Sequence, residues 1–368
     1  MVRFAERTWR RRARRKAPER AAHASASEGG GAQGQAHAVV IHRDQQHASE
    51  RMLEHDPVPW LLSADDPAIT ATVERHLLGK RVDVTRLWGL REPLRLIGKQ
   101  QANGSWRYPV NKPEPFNYDL YETFNTLGVL VGKYGFDRRH PAIDRGARYV
   151  FSCQVAEGDY RGIYGRQPAH TYTAALMEVL IQAGYQGHPS IERAFCWLLD
   201  SRQDDGGWAI PARTRGARWD TRRPVQADTS KPFSHMVTGM VLRPLAAHAR
   251  YRRTRAAKDA AALLKSRFFK PDRYTDRRGR EFWTKFTYPF GYTDLLTSLD
   301  SLGRMGFARG DPDIESAIAW FREQQNEDGS FNLVMRRGLS DKRLPYWLGI
   351  AVCRALARFG SLRRPPPD

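Results

Sequence analysis

The sequence predicts an all-α fold, an α/α toroid of about five to six helical hairpin repeats. Three observations lead there. A Gln–x3–Gly–x–aromatic turn recurs along the chain. Its copies are separated by about one helical pair. Between copies an apolar helical pattern is followed by an amphipathic one, and strand alternation of period two is absent.

The first copy, Q-Q-A-N-G-S-W, runs through Gln100, Gly104 and Trp106. The second, Q-V-A-E-G-D-Y, holds Gln154, Gly158 and Tyr160. The third, R-Q-D-D-G-G-W, ends at Trp208, with Arg202 at the Gln position and Gln203 beside it. The last, Q-N-E-D-G-S-F, holds Gln325, Gly329 and Phe331. The first three aromatics lie 54 and then 48 residues apart. Trp208 to Phe331 spans 123 residues, room for two units and an insertion, and a degenerate copy, Asp276 to Trp283, falls in that gap.

Thr171 to Gly184 is apolar on nearly every side, as a buried helix is. A corner with His188 and Pro189 follows, and Ser190 is placed to cap an amphipathic helix through Ser201. The second unit reads as helices over Asp119–Gly132 and Pro141–Gln154. The fifth reads as Tyr292–Leu302, a corner at Gly310, Asp311 and Pro312, then Ile314–Gln325. Proline suits a helix's first turn, so these corners start helices. Pairs are expected near 67–101, 118–154, 169–203, 233–267 and 290–325, with a last helix over about 343–359 closing the ring. One pair cannot bury its apolar face alone, so the pairs stack. The domain therefore spans 53–362. Residues 1–52, with a basic cluster from Arg10 to Lys16, are predicted to be disordered. No apolar segment follows that cluster, so it is not a secretory signal. Residues 363–368 form a Pro-rich tail.

The chain has 368 residues, 41% hydrophobic, enough for a large core. No apolar run approaches the roughly 18–20 residues of a membrane span. The net charge of +20 favours anionic partners, among them diphosphates and an acidic membrane surface. Basic residues concentrate in the insertion over 211–231, at Arg213, Arg215, Arg218, Arg222, Arg223 and Lys231, and again over Arg250–Arg255. No nucleic-acid motif accompanies this charge, so no specific nucleic-acid partner is expected. Cys153, Cys196 and Cys353 match no metal-ligand spacing, and a reducing cytoplasm, with peripheral membrane contact as a variant, is the expected setting. Oligomeric state leaves no signal in the sequence.

The Gln–x3–Gly–x–Trp turn resembles the QW motif of squalene and other triterpene cyclases. The beta subunits of protein prenyltransferases build the same toroid of helical pairs. The resemblance covers roughly residues 60 to 360. The stretch P-W-L-L-S-A-D-D-P-A-I, Pro59 to Ile69, is similar to the opening of bacterial proteins with prenyltransferase/squalene oxidase repeats. The resemblance implies an apolar or isoprenoid ligand in a central cavity. It implies a terpenoid cyclase- or prenyltransferase-like protein whose activity, an isomerase/lyase or a transferase if it is an enzyme, has diverged from the well-known members. The Asp-x-Asp-Asp acid of protonating cyclases has no counterpart at the matching helix start, Thr171–Ala174. The paired acids Asp204 and Asp205 lie in an outer turn, where capping or solvating that turn is the expected role. No cysteine begins an inner helix, so the prenyltransferase zinc site is not expected; no metal and no cofactor are expected elsewhere, although His170, His235 and Asp294 would be an acceptable metal set if they converged.

The turn residues have a scaffold role. The Gln amide bonds backbone groups left open at helix ends, the Gly permits the turn, and the aromatic packs. The site candidates are instead residues near the inner-helix starts, where free N–H groups and the helix dipole suit anions. Tyr118, Asp119, Glu122, Tyr172, Tyr288, Tyr292, Tyr346 and Trp347 are the expected ligand-binding set, with Tyr121, Thr173, Ser234 and Thr238 beside them. His170, His235 and Asp294 begin three successive inner helices and are the candidate catalytic residues, if they converge. Two alternatives stand: a toroid that binds partners without catalysis, and a carbohydrate-active α/α barrel that would draw paired carboxylates from Asp119, Glu122 and Asp294.

Overall fold

Many helix starts in this chain are written by side chains that accept hydrogen bonds from first-turn N–H groups, which have no partner within the helix. The computed structural model describes residues 52–216, 223–274, 279–288, 291–336 and 341–360. In chain order the helices are α1 (Val58–Leu62), α2 (Pro67–His76), α3 (Arg91–Ile97), α4 (Tyr118–Tyr134), α5 (Pro141–Ser152), α6 (His170–Leu180), α7 (Pro189–Asp200), α8 (Pro211–Thr214), α9 (His235–Ala247), α10 (Arg255–Lys265), α11 (Leu295–Arg304), α12 (Pro312–Glu323) and α13 (Leu344–Leu356). Asp66 caps α2, Asn117 caps α4, Ser234 caps α9 and Asp294 caps α11. The outer helices α5, α7 and α12 open with proline behind His140, His188 and Asp311. His188, and not Ser190 as expected, is the cap of α7: its Nδ1 accepts from Ser190 N at 3.2 Å.

Among the described residues six helices form the inner ring. α2 packs on α4, α4 on α6, α6 on α9, α9 on α11, α11 on α13, and α13 returns to α2. The all-α toroid is thus closed by direct contact of the first inner helix with the last. Helices α3, α5, α7, α10 and α12 lie outside, and α1 packs against both α13 and α2. The ring therefore has six pairs, the last made from the two ends of the described chain. Everything described belongs to one compact unit, Ala48–Asp368.

The turns show why their residues recur. Gln100 Nε2 donates to Gly104 O at 2.9 Å, closing its own turn, and to Ala142 O at 2.8 Å in the first turn of α5. Gln154 repeats this with Gly158 O at 2.7 Å and Ser190 O at 2.8 Å in α7. Arg145 and Arg193, one turn on, donate to the same two glutamine oxygens. Gly104 and Gly158 have φ of +90° and +114°, and a Cβ on either would lie 2.3 and 2.7 Å from the carbonyl oxygens of Arg145 and Arg193. The backbone N–H of the turn aromatic then docks on the next inner helix. Trp106, Tyr160 and Trp208 donate to Thr123, Thr173 and Thr238 Oγ1 at 2.9, 3.0 and 2.9 Å. In the third copy Gln203 Nε2 reaches Asp228 O and Lys231 O, both at 2.8 Å, and so pins the insertion. Asp205 caps that turn, as expected, accepting from Gly207 N and Phe233 N.

Two features depart from the reading above. Lys285–Phe286 (β1) and Val334–Met335 (β2) pair in parallel, a two-rung ladder where no strand was expected. The apolar run after His170 leaves α-helical geometry at Ile181, and a wider turn through Tyr185 contains Gly184 at φ +96°. The expected disorder of 1–52, the tail 363–368, Asp276 of the degenerate turn, and Arg218 and Arg222 of the insertion lie outside the described residues, with Met52 the one exception. Among the described residues no helix is long and apolar enough to cross a membrane.

Candidate functional site

The interior of the ring is located by side chains that meet across an intervening helix. Lys133 of α4 and Trp347 of α13 do so: Nζ lies 5.5 Å from the indole centroid, although α2 stands between these helices in the ring. Tyr288, from the loop before α11, stacks on Trp347 at 6.1 Å and lies 5.6 Å from the same Nζ. Lys133 is 6% exposed and sits 3.6 Å from Asp341. Burial pulls its pKa down, and the Asp341 and Glu92 carboxylates oppose that shift.

A second group forms a wall of aromatic rings. Tyr172 of α6 meets Tyr121 of α4 edge to face at 5.8 Å, Phe124 at 6.4 Å and Tyr164 at 5.0 Å. Tyr121 continues to Tyr108 at 6.2 Å, and Tyr108 to Tyr118 at 5.1 Å. Burial, with the hydroxyls of Tyr164, Tyr121, Tyr292 and Tyr118 nearby, pushes the Tyr172 phenol well up. Tyr292 is thereby brought to the same wall, and the Arg336 guanidinium lies 4.9 Å from its ring. Such edge-to-face contacts place positive ring edges against negative faces, and π faces attract apolar or cationic groups.

The three candidate catalytic residues are not brought together. Among the described residues no group of three His, Cys, Asp or Glu side chains is placed to hold a metal. His170 stacks on Trp197 of the outer helix α7 at 4.5 Å, with Nε2 2.9 Å from Ser201 Oγ. His235 stacks on Trp283 at 4.5 Å, with Nδ1 3.5 Å from Asp272 Oδ2. Both rings turn toward the outer layer. Burial pushes both imidazoles down to about 4, so they are neutral near pH 7. Asp294 caps α11: Oδ1 accepts from Thr297 N at 2.8 Å. Among the described residues its buried Oδ2 has no hydrogen-bond partner, and burial pushes the carboxyl up to about 6.

The remaining candidates divide. Asp119 braces the wall, Oδ1 accepting from Tyr108 N at 2.7 Å and Oδ2 from Gln101 Nε2 at 3.2 Å. Glu122, one turn along, is half-buried, and burial raises its pKa. Tyr118 stands at the end of the wall against Phe116, with Lys112 Nζ 5.4 Å from its ring. Tyr346 faces outward and stacks on Trp60 of α1 at 4.9 Å. Thr173 and Thr238 hold the turns, and Ser234 caps its helix. Sequence reasoning missed Lys133, Tyr108 and Tyr164. A lone lysine in a helix's last turn reads as solvated, and loop tyrosines carry no periodicity. A depression of about 450 Å3 is lined by Pro115, Cys153, Val155, Arg161, Gly165 and Pro224, among others.

No family model matches the chain, and no curated protein matches it. Solved structures do resemble it. A type II terpene cyclase from Scytonema is 14% identical, with 78% of this chain and 85% of that one covered and a TM-score of 0.41. A polysaccharide lyase is 15% identical over 88% of this chain and 94% of its own, with a TM-score of 0.43. A glycosyl hydrolase of family 88 from Bacteroides vulgatus is 13% identical over 88% and 98%, with a TM-score of 0.39.

Proposed function

We propose that the ring binds an elongated apolar ligand, with isoprenoids the leading class, against the wall of Tyr121, Tyr172 and Phe124. One observation carries this reading: aromatic side chains from two inner helices and two loops meet in one contiguous surface. Apolar walls with a few placed polar groups are the usual make-up of small-molecule sites. Catalysis on a bound ligand falls to Asp294 in this reading. It is the one carboxyl of the candidate trio, it keeps an oxygen without a hydrogen-bond partner, and its raised pKa suits a proton donor in mildly acidic conditions. The histidines then serve as packing groups at helix starts.

The test is incubation of the full chain with farnesyl diphosphate, geranylgeranyl diphosphate and squalene, following binding by calorimetry and conversion by product analysis. Tyr172→Ala should weaken binding of these ligands about tenfold or more. Failure of all three ligands to bind ends the proposal. Binding without conversion, unchanged in Asp294→Asn, leaves the toroid as a non-enzymatic binding module. The carbohydrate-active alternative needs two carboxyls free to act on one bond. Asp119 is committed to Tyr108 N and Gln101, which counts against it.

A further inference from the structure

The last turns of the inner helices gather arginines beyond the supply of carboxylates. Arg354 lies seven residues after Trp347 on α13, and residues seven apart share a helix face. Trp347 faces the ring interior, so Arg354 does too, further along the helix. Tyr288, stacked on Trp347, has Arg354 as a charged neighbour in addition to Lys133. Around Arg354 stand Arg304 from α11 and Arg358 just past α13. His76, the last residue of α2, feels all three of these arginines and Arg75.

Among the described residues the carboxylates that act on Arg304 and Arg354 are Asp300 and Glu178, and both are paired. Asp300 gives one oxygen to Arg304 Nε at 2.6 Å and the other to Arg358 Nε at 2.8 Å. Glu178 of α6 pairs with Arg243 of α9 at 2.5 Å. Among the described residues Arg354 has no ion pair, although it is half-buried. Burial lowers its pKa, with Arg304 and Arg358 acting in the same direction against the attraction of Asp300. Cations in the last turn of a helix gain from the helix dipole, which accounts for arginines being there. That partial charge does not match a whole guanidinium removed from water. An anion with several oxygens would, through the paired N–H groups that arginine presents.

We propose that Arg354, with Arg304 and Arg358, forms an anion site at the inner-helix C-terminal end of the ring, suited to a phosphate or diphosphate group. This is the end opposite to the inner-helix starts that sequence reasoning favours for an anion. The source of the group is either a soluble phosphate compound or a lipid head group.

Titration calorimetry at fixed ionic strength, with inorganic phosphate and inorganic diphosphate as probes, tests it. Diphosphate should bind the full chain, and Arg354→Met should weaken its binding about tenfold or more. Arg250→Gln, at an exposed arginine paired with Glu192, should leave binding unchanged. In chloride buffer without phosphate, Arg354→Met should melt at or above the wild-type temperature, because it removes a cation lacking an ion pair. Co-sedimentation with phosphatidylcholine vesicles, with and without phosphatidic acid, separates the sources. Arg354-dependent sedimentation with the acidic vesicles assigns the head group to lipid, and diphosphate binding without sedimentation assigns it to a soluble compound. The proposal is overturned if neither diphosphate nor acidic vesicles bind, if wild type and Arg354→Met bind equally, or if Arg354→Met melts well below wild type in chloride. Inorganic diphosphate carries no apolar chain. If it binds while farnesyl diphosphate, geranylgeranyl diphosphate and squalene all fail to bind, the tyrosine wall fails as a ligand surface and the anion site stands.

Discussion

Gln325 and His55 are 270 residues apart in sequence and joined by two hydrogen bonds, one in each direction. The Gln325 amide donates to His55 O at 2.9 Å, and its oxygen accepts from His55 N at 3.0 Å. Gln100 and Gln154 make the same kind of link, but only to the next repeat. In the last repeat the next outer helix is α1, at the start of the described chain, so one recurring turn closes the ring.

Gly329 is the position at which this closure breaks most readily. Its φ is +82°, and a Cβ there would lie 2.4 Å from Asp56 O. Gly329→Ala should destabilise the protein by about 2–4 kcal/mol in urea unfolding, the left-handed backbone cost plus a backbone clash. Gly310→Ala is the control: φ is +91°, but nothing lies within 4 Å of the new Cβ. It should cost only about 1–2 kcal/mol. Equal losses at the two positions would show that the contact with Asp56 does not matter.

Asp294 gives a pH dependence of known sign. Its carboxyl rises from the ordinary 3.8 to about 6 in the fold. Between those values the folded protein binds the extra proton, so its contribution to stability falls as pH rises through that window and stays low above it. The deficit at pH 7 is on the order of 2–3 kcal/mol. Asp294→Asn keeps an oxygen to cap α11 and carries no charge. Its stability relative to wild type should rise between about pH 4 and 6, measured by urea unfolding across pH.

His170 and His235 act in the opposite direction. Each falls from 6.5 to about 4 on folding. As pH drops below 6.5 the unfolded chain takes up protons that the folded one refuses, so stability is lost down to about pH 4. His170→Phe retains a ring against Trp197 and gives up the bond to Ser201. Compared with wild type, it should gain on the order of 2–3 kcal/mol between pH 7 and 4. A flat difference across that range would mean that His170 titrates normally in the fold.

Arg243 and Glu178 tie two neighbouring inner helices with side chains only 8% and 13% exposed. Glu178→Ala leaves a buried guanidinium without its carboxylate and should cost about 3–5 kcal/mol. The double variant Glu178→Met with Arg243→Met removes both charges while keeping apolar volume, and it should recover most of that loss. Additive losses in the cycle would refute the pairing.

Much of the frame was legible in the residues. The glutamine, glycine and aromatic of each turn recur because the copies meet the same local needs: a carbonyl, a left-handed backbone and, in the first three, a slot beside a threonine hydroxyl. Thr173 and Thr238 stood out as candidate ligand groups, but they belong to that slot. Spacing along a helix cannot tell a residue that lines the ring from one that holds the preceding turn, since both occupy the inner helix's first turn.

Tyr346 and Trp347 show where reading stopped. They are neighbours, both aromatic and both at the start of α13, and one residue is a rotation of about 100°. Trp347 enters the ring, while Tyr346 packs outward on Trp60. His170 and His235 were placed at the right helix starts, yet their rings turned to Trp197 and Trp283. By itself the sequence determined the repeat and the order of helices, because those depend on spacing and on bonds within or next to a turn. Tertiary structure decided which side chains share the interior, that the chain's start completes the last pair, and that Arg354 meets Arg304 and Arg358. Those outcomes depend on the azimuth and depth at which separate helices pack, which no single repeat encodes.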